Sequence, residues 1–505
     1  MRQFFRYLYP IKGLSIMEPL ITVVGATGTG KSKLAVDLAS RFNGEIINGD
    51  AMQMYRGLPI ITNQIPVEER NGIPHHLIDC IGLGEEPWRV GLFKNECLRL
   101  IRDIHSRGKL PILVGGTHYY TQAVLLKDQL VGEPSADQDV DVEAPDEMAA
   151  LAAKWPILDA HPDAVLQKLR EVDPVMADRW HPNETRKIRR SLEIYFQTGK
   201  RASEVYAEQK RLKQAVSDAK SRDDAQQLRF PTMIFWVHSD RNVLNSRLNN
   251  RVDAMMEQGL MTEAEQMFEH LRQKNKQDTT FDSTRGVWIA IGFKELAPYF
   301  EALYGGLSNE AELQKLKDSC IELIKIATRQ YSASQIKWIR NKLWETLAEA
   351  GMAHRLFLLD STDVENWEKC ITEPSEHLVQ SLLRDEPTPD PKSFSELASK
   401  TLGAKEAQLL KGPRPEAKCI RCDVCNKTMT DEAQWEIHIN GQVHRRTLKH
   451  AAKKAEQLRK KQDNLEEGET TPPRTGEQGF FSVNPVASSA SHSSMEIPKH
   501  RSTRK

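Results

Sequence analysis

An α/β fold on a parallel sheet is what this 505-residue chain predicts, and three observations carry it. The apolar run LITVV leads directly into GATGTGKS, residues 25–32. Strand-like and helix-like stretches then alternate, as in parallel sheets covered by helices. Far downstream, two cysteines and two histidines stand at the spacing of a small zinc module. Together they give a P-loop NTPase-like core with an inserted helical domain and a C-terminal C2H2 zinc finger.

Residues 20–24 read as a buried strand, and KSKLAVDLASRF as an amphipathic helix with Leu34, Leu38 and Phe42 on one stripe. EIING is a second strand, ending at Asp50, and the helical FKNECLRLIRDIHSRG leads into the apolar LPILVGG. The pattern breaks at residues 133–148, where seven acids without Lys or Arg mark an exposed connector. Helical patterns follow to 225, and residues 181–213 hold nine Lys/Arg against four Glu. PTMIFWVHS and RNVLNSRLNNRVDAMMEQ then resume strand and helix, so the basic helical module interrupts one core. RDEPTPDPKSF is a linker near residue 390, and the Ser/Thr/Pro-rich tail from about 468 cannot bury enough apolar surface to fold. The expected divisions are a leader at 1–17, core at 18–135 and 226–345, and insert at 136–225. A helical extension and linker at 346–414, a finger at 415–450, and a basic helix with disordered tail at 451–505 complete them.

Seventy Lys+Arg balance seventy Asp+Glu, so a nucleic-acid surface has to come from local clustering. Seven cysteines, three of them crowded at Cys419, Cys422 and Cys425, point to a reducing compartment and a metal rather than a disulfide framework. No run approaches the ~18 apolar residues of a membrane span, so no membrane partner is expected. The opening MRQFFRYLYPIKGLSIM carries Arg2, Arg6 and Lys12 with no acid before Glu18. That is the balance of a mitochondrial presequence, or equally of an untargeted frayed extension.

In a loop such as GATGTGKS, glycines let backbone N–H groups converge on phosphate oxygens at a helix N-terminus. Gly25, Ala26, Thr27, Gly28, Thr29 and Gly30 form the cradle, Lys31 reaches the terminal phosphates, and Ser32 helps hold Mg²⁺. The motif does not distinguish a diphosphate from the end of a triphosphate. Asp50 stands at the carboxyl end of a strand, the edge where α/β sheets bind ligands. It can ligate magnesium through water, accept a proton, or merely cap the next turn. Thr117 in GGTHYY is either a donor to phosphate or an ordinary helix cap. Arg247 and Arg251, four apart, share a helix face and either clamp an anion together or are plain surface arginines.

Cys422-x2-Cys425-x12-His438-x5-His444 supplies two thiolates and two imidazoles, a closed tetrahedral Zn²⁺ site with a structural role. Cys419 competes as a ligand, but pairing it with Cys422 lengthens the gap to His438. Residues 418–461 carry eleven Lys/Arg against five acids, a surface suited to phosphate backbones or simply a solvated helix.

Taken in order, GATGTGKS, GDAMQMY, IITNQIPVEERNGIPHHLID, LPILVGGTHYY, NETRKIRRSLEIYFQTGK and RLNNRVDAMMEQGL resemble the tRNA dimethylallyltransferase (tRNA isopentenyltransferase) family over about residues 18–345. The appended finger resembles that of eukaryotic members. The resemblance implies transfer of a dimethylallyl group from dimethylallyl diphosphate to the exocyclic amine of the adenosine just 3′ of the anticodon. It implies that Lys31, Ser32, Arg247 and Arg251 hold the diphosphate with Mg²⁺, and that Thr117 contacts the leaving group. Asp50 accepts the amine proton, and Gln53 lies in the base pocket. Arg186, Lys187, Arg189 and Arg190 grip the tRNA anticodon stem-loop, with the finger as a second grip. One departure stands out: the family usually has Asp-Ser where this chain has Asp50-Ala51.

Two rivals remain at this level, a P-loop small-molecule kinase or NTPase and a non-catalytic zinc-finger nucleic-acid-binding protein. A monomer is expected, in cytoplasm and mitochondrion, with the nucleus left open. Met17 offers a second start just before the first strand. Fluorescent fusions begun at Met1 and at Met17 should therefore distribute differently between the two compartments; identical images would remove the presequence.

Overall fold

The computed structural model describes residues 18–127, 154–208, 211, 228–277, 283–306 and 309–409, then 420–425, 427–429, 432–450, 452, 453 and 456. The leader, the acidic connector at 133–148, Cys419 and the tail from 468 lie outside the described residues. The chain forms two compact units, 1–417 and 418–505, each described by itself.

The first unit is organised by β1 (Leu20–Gly25), every residue of which is buried. It leads through the glycine loop into α1 (Lys31–Arg41), whose Leu34 and Leu38 are fully covered. β2 (Gly44–Asn48) and the two-residue β3 (His75–His76) follow. Then come α2 (Val90–Ser106), β4 (Leu110–Gly115) and α3 (His118–Leu125). The insert supplies α4 (Pro162–Val172), α5 (Pro174–Arg179) and α6 (Thr185–Thr198). Beyond it lie β5 (Thr232–His238), α7 (Arg241–Gln258), α8 (Leu260–Gln277), α9 (Phe293–Tyr304) and the 29-residue α10 (Glu310–Trp338). β6 (Leu356–Asp360) and α11 (Glu373–Leu383) follow.

Strand order is β3-β2-β4-β1-β5-β6, and all neighbours pair in parallel. Alternate side chains serve two apolar layers. Leu20, Val24, Leu113, Ile234 and Trp236 pack on one face, and Ile21, Val23, Ile112, Phe235 and Val237 on the other. A parallel sheet buried on both sides has strands that are apolar throughout rather than alternating. The glycine loop after β1, Asp50 after β2 and Gly116 after β4 all emerge at one carboxyl-terminal edge, since parallel strands share their direction.

The sheet runs past residue 345, where the sequence reading closed the core and began a helical extension. β6 pairs with β5 from Ile234↔Leu356 to His238↔Asp360. Its sequence LFLLD is short and apolar without alternation up to Asp360, so periodicity alone does not separate it from a buried helical turn. The insert is bracketed more tightly than composition shows. Leu126 and Leu228 form an antiparallel bridge, and Arg229 N–H donates to the Leu125 carbonyl at 2.9 Å. Its helices enclose a separate small core with Leu166, Leu169, Ile188 and Leu192, closed by Trp155 stacked on Phe196.

In the second unit, the hairpin β7 (Ile420–Cys422) and β8 (Lys427–Met429) precedes α12 (Glu432–Asn440).

At the opposite end of the sheet from the glycine loop, Glu45 of β2 is almost fully buried and still charged. It accepts from both guanidinium nitrogens of Arg107, from Lys109 Nζ at 2.7 Å, and meets His76 Nε2 at 2.7 Å. The Arg107 hydrogen bonds hold its carboxyl well below the usual carboxylate range, against the opposing effect of burial. Breaking a buried ion pair from one side costs about 3–5 kcal/mol, and the half-exposed cations here place Glu45→Gln nearer about 2 kcal/mol. Because the folded-state pKa is depressed, this advantage is complete above the unfolded carboxylate range and fades as pH falls towards the folded value. Denaturant titrations of both proteins should show the gap constant from about pH 6 to 8 and shrinking below about pH 4; a gap that widens in acid would overturn the assignment.

Candidate active site

The glycine loop is tied inward by its own backbone. Ala26, fully buried, accepts at its carbonyl from Thr29 Oγ1 at 2.9 Å and from Lys31 Nζ at 2.8 Å. Gly30 takes φ 93°, the left-handed region, and a Cβ there would lie 2.5 Å from the Trp367 ring. No other residue type fits both demands. Trp367 comes from the segment after β6, and its indole N–H donates to Asp37 of α1 at 3.1 Å. Ser32 lies half-buried in the first turn of α1, and its hydroxyl makes no hydrogen bond among the described residues. A free hydroxyl beside a phosphate loop fits a magnesium ligand.

Asp50 is set by Asn48, which accepts from the Asp50 N–H at 3.0 Å and donates to the Asp50 carbonyl at 3.0 Å. One carboxylate oxygen accepts from Met52 N–H at 3.1 Å, so the residue does cap the short 3-10 turn Met52–Met54. Its other oxygen faces Gly116, where a Cβ would approach to 2.8 Å. Capping and a chemical role thus use different oxygens. Burial pushes the Asp50 carboxyl up, opposed in part by the Met52 hydrogen bond and the Lys31 charge. Burial pushes Lys31 down to about 8, with Asp50 opposing and Arg251 reinforcing the shift. Burial also lowers Arg251, whose guanidinium donates to Thr27 Oγ1 at 2.9 Å. Two half-buried cations and one half-buried acid leave the cleft with an excess of positive charge, the condition for holding a polyanion.

Thr117 occupies the N-cap position of α3 without a side-chain capping bond. Its hydroxyl accepts instead from the Ala51 N–H at 3.0 Å, linking the ends of β2 and β4. A hydroxyl that accepts keeps its own proton to donate elsewhere. The substitution at residue 51 therefore leaves this link intact, because the backbone makes it. Gln53 borders the cleft, its amide donating to the Asn63 carbonyl at 3.0 Å.

The expected arginine pair does not converge. Arg247 donates to the carbonyls of Ser361 at 2.9 Å and Thr362 at 2.7 Å, on the segment after β6. That segment follows β6, and of the two arginines Arg251 is the one bonded to the glycine loop, through Thr27. In the insert, Arg186 and Lys187 are exposed, whereas Arg189 and Arg190 both bond Glu193, with Arg189 also on Asp159. Arg186 donates to the Thr284 carbonyl at 3.0 Å, and Lys187 lies over the Trp180 ring while pairing with Glu184.

Two further residues belong to the cleft and had no motif to announce them. Gln335 of α10 accepts from Thr27 N–H at 2.8 Å and donates to the Gly116 carbonyl at 3.0 Å. One turn earlier, Tyr331 has its hydroxyl pushed up, first by burial and then by the Asp50 charge. A polar residue 308 positions from the loop it touches leaves no local signal.

In the finger, Cys422 and Cys425 Sγ lie 3.5 and 3.3 Å from His444 Nδ1, which is 3.2 Å from His438 Nε2. All four atoms lie within 4.8 Å of one another. Tetrahedral Zn²⁺ at ordinary bond lengths separates its ligand atoms by about 3.3–3.8 Å. The set fits structural zinc. Cys422→Ser should unfold the finger alone, seen as loss of its dispersed amide resonances with the thermal midpoint of the core unchanged; a joint loss would show that the units do not fold separately.

The family model for IPP transferase matches residues 53–342, and that for a C2H2-type zinc finger matches residues 420–444. The chain is 36% identical to the tRNA dimethylallyltransferase of Schizosaccharomyces pombe over 454 residues, covering 87% of this chain and 97% of that protein. It is 35% identical to that of Saccharomyces cerevisiae, covering 88% and 96%, and 32% identical to that of Homo sapiens, covering 87% and 88%. A solved eukaryotic dimethylallyltransferase acting on tRNA is similar at a TM-score of 0.66 and 33% identity, covering 88% of this chain and 99% of that one. On the family match and these relatives together, the chain belongs to the IPP transferase family, in a form carrying a C2H2 finger.

Proposed function

We propose that this chain transfers a dimethylallyl group from dimethylallyl diphosphate to the exocyclic amine of the adenosine just 3′ of the anticodon in certain tRNAs, releasing diphosphate. The observation that carries the reading is the half-buried acid Asp50 in the field of half-buried Lys31, with Arg251 tied to the same glycine loop through Thr27, in a chain of this family. The nitrogen lone pair attacks the first carbon of the donor. The bond from that carbon to the bridging oxygen breaks, its electron pair leaves on the diphosphate, and Asp50 takes the amine proton. A carboxylate whose pKa burial has raised is a stronger base than one in water.

An adenine amine is a poor nucleophile, so the rate rests on aligning the reactants and receiving charge on the departing diphosphate. Lys31, Arg251 and the loop N–H groups receive it, and the free proton of Thr117 is available to the bridging oxygen. Ser32 would hold Mg²⁺, which supplies further charge neutralisation when bound. Arg247 supports the loop from behind, through the segment after β6. The target base leaves the anticodon-loop stack to reach the cleft beside Gln53, the logic of base flipping. Arg186 and Lys187, exposed on the insert, meet RNA phosphates, while Arg189 and Arg190 hold the shape of α6 through Glu193. The basic finger adds a second grip, and one copy of the chain suffices for all of this.

Purified protein given unmodified tRNA and labelled dimethylallyl diphosphate should place label in the RNA. Asp50→Ala should lower that rate at least ~100-fold while leaving tRNA affinity nearly unchanged. ATP turnover without label transfer would instead favour the kinase reading, and RNA binding with neither would favour a non-catalytic module.

A further inference from the structure

Resting on the transferase reading, we propose that Gln335 is a positioning residue that sets the spacing between the diphosphate loop and Asp50. The loop follows β1 and Gly116 follows β4, adjacent strands that both end in glycine, so neither brings a side chain to hold the two ends in register. Gln335 provides the tie from a third element. Its amide oxygen accepts from Thr27 N–H at 2.8 Å and its amide nitrogen donates to the Gly116 carbonyl at 3.0 Å.

Gly116 is also the floor beneath the acid. A Cβ placed there would meet Gln335 Nε2 at 2.7 Å and Asp50 Oδ2 at 2.8 Å. The amide and the carboxylate therefore flank one backbone position, and moving Gly116 moves the surface against which Asp50 is seated. Gln335 is itself only 4% exposed, so its hydrogen bonds to Thr27 and Gly116 are not exchanged for water, and the Tyr331 hydroxyl one turn earlier bonds it as well. A buried amide with both ends used on two different catalytic segments acts as a fixed-length strut, and neither bond remains available when the side chain is apolar. Thr27 is held from the other side by Arg251, so the loop is fixed between α7 and α10.

Loss of the strut changes where the donor carbon lies relative to base and acceptor, without removing a group that binds tRNA. A displacement of about 1 Å can cost on the order of 100-fold in rate. A donor carbon out of line with the amine is open to water instead. The water oxygen attacks that carbon, the carbon–oxygen bond breaks with its electron pair on the diphosphate, and the water proton passes to Asp50 or solvent, giving dimethylallyl alcohol.

The experiment compares wild type with Gln335→Met, which keeps length and volume, and with Gln335→Asn, a neutral amide one methylene too short to reach both Thr27 N–H and the Gly116 carbonyl. Expected for Gln335→Met is a fall in transfer kcat of about 10- to 100-fold with KM for tRNA unchanged. The share of released diphosphate accompanied by dimethylallyl alcohol should rise, with Gln335→Asn, which can keep one of the two bonds, between the two. A purely structural role would lower the amount of folded protein but leave kcat and the product partition per folded molecule as in wild type, and that result overturns the assignment. Should the Met variant not fold, the Asn variant decides by the same partition. A wild type that transfers nothing would overturn the transferase reading and this inference with it; a wild type that transfers, beside unchanged variants, would overturn the inference alone.

Discussion

Placing a carboxylate, an ammonium and a guanidinium half out of water in one cleft is the constraint on which the rest of this structure depends. Each ion loses hydration on burial, and the shifts of Asp50, Lys31 and Arg251 are all driven first by that loss. Their mutual fields recover only part of it, so the cleft retains a demand for an anion of higher charge. The parallel sheet meets the geometric side of the constraint by delivering three strand ends to one edge. Thr117 and Gln335 then fix those ends to each other, and Asn48 sets Asp50 within its own segment, all with neutral hydrogen bonds that do not compete with the charges for the ligand.

The segment after α10 supports the same cleft. β6 widens the sheet, the carbonyls of Ser361 and Thr362 hold Arg247, and Trp367 leaves space beside the loop only for a glycine at position 30. The family match covers residues 53–342, so these supports lie after its end just as the glycine loop, Lys31 and Asp50 lie before its start. Chemistry and scaffold are therefore distributed differently along the chain, with reacting groups early and part of their buttress late.

Groups that announce themselves locally were legible in the sequence: the glycine loop by its spacing, Asp50 by its place after a strand, and the finger by its ligand intervals. The sheet was readable wherever an apolar run was bounded by a turn signal, as at LPILVGG. The two-residue β3 escaped because a strand that short is defined by its neighbour, and β6 because its apolar run sits among helical patterns, where periodicity does not tell a strand from a buried helical turn. Arg247 and Arg251 show the same limit at a site. Their four-residue spacing places both on one helix face but does not say what each will meet, and a backbone loop more than a hundred residues downstream captured the first. Gln335 was invisible for a related reason, since an amide inside a helical run carries no signature until folding brings its partners to it.

The bridge between Leu126 and Leu228 has a consequence for how such a protein can change over time. A module that leaves and re-enters its host at neighbouring points can be exchanged, lengthened or trimmed without rethreading the sheet. Because the helices between those points keep a core of their own, the surface presented to a large substrate can diverge while the reacting centre stays as it is.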